Sequence, residues 1–173
     1  MLHAESHDRA AVVTKEELLA TCLGLGMLPF APAVWGSLPP VVVYQVLGYL
    51  APAANVPVMA LFVIASSWIC VKYAPAAFSS LGPQRRSMVV ADAMAGQGLT
   101  MLMIALLGPV NICNSMALGF ALFRLFDITR PWPCKLFAQR PAGTGILIGA
   151  VVAGFYAGAV ACLAIWFLPA YFG

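Results

Sequence analysis

Charge is what this chain has least of. Its 173 residues include nine Lys or Arg and six Asp or Glu; 9% are charged and 62% hydrophobic, and the mean hydropathy is +0.93. A soluble domain carries about 25% charged residues. This chain has too few to coat a surface that faces water, so the composition points to an integral membrane protein. Acid is scarcer still: beyond Glu17 the only carboxylates are Asp92 and Asp127. A net charge of +3 does not suggest a nucleic-acid partner. The cysteines (Cys22, Cys70, Cys113, Cys134 and Cys162) are odd in number, widely spaced and never CxxC. That excludes a patterned zinc site or disulfide framework and leaves them as small apolar residues. The N-terminal "MLHAESHDRAAVVTKEELLA" mixes charges and has no early apolar run, unlike a secretory signal. His3 and His7 fall in this arm and carry no assigned role.

Five apolar stretches are present, roughly Ser37–Leu50, Val56–Val71, Met88–Leu107, Ile112–Phe126 and Gly145–Leu168. A helix needs about 20 apolar residues to span, with a range of about 17–25. The third and fifth qualify outright; the second and fourth qualify if their flanks extend them. The first follows "LLATCLGLGMLPFAPAVWGSLPP", in which Pro29, Pro32, Pro39 and Pro40 argue against one long regular helix. That segment reads either as a re-entrant loop or site wall, or as an interfacial linker. The expected fold is all-α: a polytopic membrane helical bundle of about five spans, with a Gly/Pro-rich broken segment before the first. Residues 1–20 form a polar arm and residues 21–173 the membrane domain.

The placement of charge gives an expected topology. The N-terminal arm holds Arg9 and Lys15. The connection from Lys72 to Ser87 holds Lys72, Arg85 and Arg86, and that from Asp127 to Thr144 holds Arg130, Lys135 and Arg140. The connections "APAANVP" and "GPVN" and the tail "LPAYFG" hold none. Under the positive-inside rule this alternation puts the N-terminus in the cytoplasm and the C-terminus outside. Asp92, Arg124, Asp127 and the Gly36-Ser37 and Gly143–Gly145 segments then meet at one depth, the cytoplasmic interface. Close helix contacts should use small residues such as Ala150, Gly154 and Gly158.

Arg124 and Asp127 are three apart and share a helical face. They read either as a local ion pair at a helix end that Pro131 terminates, or as part of a site, since ionisable residues at membrane depth tend to mark one. Arg124, Arg130 and Lys135 are suited to binding a phosphate. Asp92 has no basic residue at i±3 or i±4. It needs a proton, a metal or a partner on another helix, Arg124 being one candidate. A Mg²⁺ site wants several hard oxygen ligands, and two carboxylates are a thin supply.

The motifs bearing these residues resemble the phosphatidylglycerophosphatase A family of bacterial inner-membrane lipid phosphatases. The resemblance runs from about Leu23 to Gly154. "GLGMLPFAPAVWGSL" resembles the family's GxGxxPxAPGTxGSL, "VVADAMAGQ" its acidic DExxG motif, "FRLFDITRPWP" its FRxFDxxKPWP and "GTGILIGAVVAG" its GGxGIMxDDxxAG. The resemblance implies Mg²⁺-dependent removal of the terminal phosphate of phosphatidylglycerol phosphate. Asp92 and Asp127 would be catalytic, Asp92 a metal ligand, and Ser37, Arg124, Arg130 and Lys135 phosphate-binding. The departures fall on acids: Ala93, Ala138, Gly149 and Ala150 stand where the family has carboxylates, and Ala33-Val34 replaces a Gly-Thr pair. A non-catalytic relative is the competing expectation. It would bind an anionic phospholipid, or pair with itself or an active homologue through a face such as Ala150-x-x-x-Gly154. A transporter subunit fits less well, because no internal repeat is seen and the charges sit at one face.

Overall fold

A computed structural model describes residues 32–81, 89–108, 110–130, 132 and 143–172. Five long helices, α1 (Pro32–Leu50), α2 (Pro52–Leu81), α3 (Ala91–Ala105), α4 (Ile112–Thr129) and α5 (Thr144–Phe167), are followed by one short turn of helix, α6 (Pro169–Phe172). Among the described residues there is no strand. Each of the five apolar stretches contains a helix, and the protein is a helical membrane bundle.

Four helices, α1, α2, α4 and α5, are long and apolar enough to cross a bilayer. Their outer faces carry apolar side chains such as Leu61, Ile64, Trp68 and Trp166, as lipid contact requires. The third is shorter than its apolar stretch suggests. Its 15 residues rise roughly 22 Å, against a hydrocarbon core of about 30 Å. Val89 and Val90 precede the helix, and Leu106 and Leu107 form a turn after it. It is instead the central element, contacting α1, α2, α4 and α5.

Small residues permit that position. A Cβ on Gly154 of α5 would fall on the backbone carbonyl of Gly96 in α3. One on Gly96 would meet the Ala150 carbonyl and the Phe123 ring of α4. Thr100 Oγ1 lies 3.0 Å from the Gly154 carbonyl and 3.2 Å from that of Gly96, so the hydroxyl proton is used at this crossing. Gly158 packs likewise on Met103. The Ala150–Gly154 face is therefore occupied inside the chain by α3 and is not a surface for pairing with another protein. A sequence shows a small-residue face but not which helix it meets.

Two expectations about helix limits are corrected. α1 runs through Pro39 and Pro40 as one helix. Pro32 opens it, where a missing N–H costs nothing. Interior prolines remove a hydrogen bond, at about 3 kcal/mol or more, but neighbouring groups in a bundle can compensate. Here Pro40 is fully buried and Gly36 packs on Val90 at the head of α3. The segment before Pro32 lies outside the described residues. α2 also continues past Lys72 and Pro75 to Leu81, so Lys72 is a helical residue rather than part of a connection. Its ammonium sits 4.6 Å from the centre of the Trp68 ring. Arg85 and Arg86 fall outside the described residues.

Candidate functional site

The site forms where α1, α3 and α5 begin and α4 ends. α4 is started by Asn111, whose side chain accepts from the Asn114 amide at 3.1 Å. It stops at Arg130, which adopts a left-handed conformation (φ 41°, ψ 67°) and donates its amide to the Phe126 carbonyl at 2.9 Å. The residue before a proline is disfavoured from continuing a helix, and Pro131 follows. This stop places Arg124, Asp127 and Arg130 in the last turns.

Arg124 Nη1 lies 3.4 Å from Asp127 Oδ2, so the local ion pair is formed. The guanidinium also lies over the Phe123 ring, 5.0 Å from its centre. Phe123 is fully buried and its ring touches the Gly96 position, one turn beyond Asp92. Arg124 Nε and Nη2 are buried and have no hydrogen-bond partner. These two atoms form one edge of the guanidinium, the geometry that grips a phosphate or carboxylate with two parallel hydrogen bonds.

Asp92 is buried in the first turn of α3, where the Ala93 amide acts as a donor to it. The charges of Asp127 and Arg130 act on Asp92, and that of Asp92 acts on Arg124. The structure thus brings Asp92, Arg124, Asp127 and Arg130 into one electrostatic cluster contributed by two helices. Among the described residues Asp92 enters no ion pair, so the possible bridge to Arg124 is not formed. Arg130 Nε also donates to the Asp127 carbonyl at 3.3 Å.

Ser37 is fully buried and donates to the Val34 carbonyl at 2.8 Å. Its neighbour Gly36 touches Val90, two residues before Asp92, which puts the head of α1 beside the head of α3. Lys135 and Ala138 lie outside the described residues. Ala93, Gly149 and Ala150 are buried in the first turns of α3 and α5. Among the described residues no three His, Cys, Asp or Glu side chains come together. A donor set of Asp92 and Asp127 is too small for protein carboxylates alone to complete the near-octahedral oxygen shell of Mg²⁺, which with so few carboxylates draws its remaining ligands from water and a bound phosphate.

Gln97 stands out only in three dimensions. It is fully buried, and neither its Oε1 nor its Nε2 has a partner. It lies four residues after Ala93, on the same helical face. The signal in the sequence is faint: one amide in an apolar helix, at a spacing that matters only once position 93 is known to line the site.

Comparison with known proteins identifies the family. Residues 18–165 match the phosphatidylglycerophosphatase A family. The chain is 28% identical over 138 residues to phosphatidylglycerophosphatase A of Escherichia coli, covering 79% of this chain and 76% of that protein. It is 30% identical over 142 residues to phosphatidylglycerophosphatase A of Haemophilus influenzae, covering 81% and 82%. A protein of Bacteroides thetaiotaomicron provisionally named a phosphatidylinositol-3-phosphatase is 29% identical over 156 residues, covering 86% and 92%. No solved structure matches. With the match spanning most of its length and the Arg124–Asp127 motif at the convergence of its helices, this chain belongs to the phosphatidylglycerophosphatase A family.

Proposed function

We propose that this chain recognises the phosphate of an anionic phospholipid of the phosphatidylglycerol phosphate type, at the cytoplasmic face of a bacterial inner membrane, and holds it without hydrolysing it. The observation that carries this is the unpartnered edge of Arg124 beside a site with two remaining carboxylates. Arg124 supplies the paired hydrogen bonds, and Arg130 supplies a second positive charge. Lys135 is assigned to the same anion by its place in the sequence. Positive charge kept where negative charge is lost favours an anion at rest over metal-assisted attack on it.

Two assignments follow from this reading. Mg²⁺ is not a resident cofactor, since Ala93, Ala138, Gly149 and Ala150 offer no side-chain ligand. The role is that of a lipid-holding protein, acting alone, as a homo-oligomer or beside an acid-complete relative. Any such contact uses a surface other than the Ala150–Gly154 face.

A second reading, retained hydrolysis, is favoured by one observation: Asp92 and Asp127, on different helices, act on each other electrostatically. The deciding experiment measures phosphate release from phosphatidylglycerol phosphate by the detergent-purified protein, with and without Mg²⁺, beside Asp92→Asn. The proposal expects no release and saturable binding of the lipid. Mg²⁺-dependent release that Asp92→Asn abolishes would overturn it and establish the second reading.

A further inference from the structure

The outer face of α2 ends in a positive charge that no carboxylate meets. Leu61, Ile64, Trp68 and Val71 are exposed apolar side chains, and Lys72 follows them. At about 100° per residue these positions share one stripe of the helix. Leu61 lies near the middle of the spanning stretch Pro52–Ala76. From there to Lys72 the stripe rises roughly 16 Å, the depth of one leaflet in a hydrocarbon core about 30 Å thick. Its charged end lies level with the heads of α3 and α5, where Ala74 packs with Val89, Ala91 and Leu147. Lys72 therefore stands at the depth of lipid head groups.

The lysine is held there by two rings. Its ammonium lies 4.6 Å from the centre of the Trp68 ring and 5.5 Å from that of Tyr73. The rings themselves meet edge to face, 5.9 Å apart at 85°. Ring faces attract a cation but bring it no counter-charge. The carboxylates among the described residues are Asp92 and Asp127, on α3 and α4, and Lys72 pairs with neither. Lys72 is exposed, so a headgroup reaches it directly. A zwitterionic headgroup brings a cation of its own beside its phosphate. An anionic one brings net negative charge, which a fixed ammonium at the interface attracts.

We infer that Trp68, Lys72 and Tyr73 form a headgroup site on the outer surface of the bundle, selective for an anionic phospholipid whose acyl chain lies along Leu61 and Ile64. The inference does not rest on the phosphate-binding reading, since it shares no residue with it.

The test uses Trp68 as its own reporter. Trp35, Trp132 and Trp166, all exposed, are replaced by Phe. The full chain is then reconstituted in vesicles of phosphatidylcholine and phosphatidylglycerol, with one lipid or the other carrying brominated acyl chains. Bromine quenches tryptophan fluorescence at close contact, so the two mixtures report which lipid touches Trp68. Phosphatidylglycerol should be favoured on the order of fivefold, the effect of one basic residue near the surface, and by less in high salt. Lys72→Gln should erase the preference, and Lys72→Arg should keep it. If the triple replacement does not fold, the difference between the wild type and Trp68→Phe gives the same reading. Equal quenching by both lipids with Lys72 present would reveal ordinary bilayer contact and overturn the proposal. So would a preference that survives Lys72→Gln, or a Trp68 shielded from both lipids, which would mean that a second copy of the chain covers this face.

Discussion

Arg124 and Asp127, one turn apart on α4, meet Nη1 to Oδ2 at 3.4 Å, and the contact leaves Nε and Nη2 unpartnered on the other edge of the guanidinium. The aspartate orients the arginine without using up its donors. Arg124→Lys keeps the charge and removes the fork. It should weaken binding of phosphatidylglycerol phosphate on the order of tenfold, the worth of a charge-assisted hydrogen bond. Titration of lipid into detergent-solubilised protein reads this; an unchanged affinity would remove Arg124 from the site.

The packing of α4 and α5 on α3 predicts a graded response to glycine substitution. At Gly154 an added methyl meets the backbone of Gly96, which cannot rotate away. At Gly119 it meets Ile104 Cδ1 at 2.7 Å and Met101 Cε at 3.0 Å, the ends of flexible side chains. Gly154→Ala should cost about 1–3 kcal/mol, the usual range for overpacking, and Gly119→Ala less. Thermal unfolding in one detergent would rank them, and the reverse order would contradict this packing.

Thr100 tests the polar part of the α3–α5 crossing. Thr100→Val keeps the shape and removes the donor to the Gly154 carbonyl, 3.0 Å away. A loss of about 1 kcal/mol is expected, with Thr100→Ser losing less. A Val variant as stable as the wild type would show that the carbonyl finds another donor.

On the proposed reading, acids introduced at Ala93, Gly149 and Ala150 should create a metal site. Ala93→Glu alone places a carboxylate where the present side chain is 3% exposed. It should lower the melting temperature, even though Gln97 four residues on offers a hydrogen bond. Combined with Gly149→Asp and Ala150→Asp, it should make the melting temperature rise with Mg²⁺, because a ligand that binds only the folded state stabilises it, by about 2.7 kcal/mol at a hundredfold excess over Kd. A combined variant indifferent to Mg²⁺ would show that these positions do not converge on one ion.

Much of the fold was legible before any coordinates. Apolar runs separated by charge and turn residues fix the helices because the bilayer leaves no other way to satisfy the backbone. The run of Arg124, Asp127 and Arg130 before Pro131 announced a helix end with a local ion pair, and the structure forms both. The limits of α1 and α3 were not legible. Proline propensity is local, whereas the surroundings that bury Pro40 within α1 include Gly98, fifty-eight residues on. Apolar character likewise marked Met88–Leu107 without showing that only Ala91–Ala105 is helical.

The sequence alone determined the solvent this protein lives in, the helical class and the family, because composition and motif are properties of the chain order. Tertiary structure decided which small residues touch, that the Ala150–Gly154 face is spent on α3, that Arg124 pairs within its own helix, and that Asn55 and Gln97 are left without full partners. Apart from the Arg124–Asp127 pair, which a spacing of three already offered, those follow from contacts between different helices. They are set by how side chains of given volume fill the space between helices, and no pattern along one strand of letters records that.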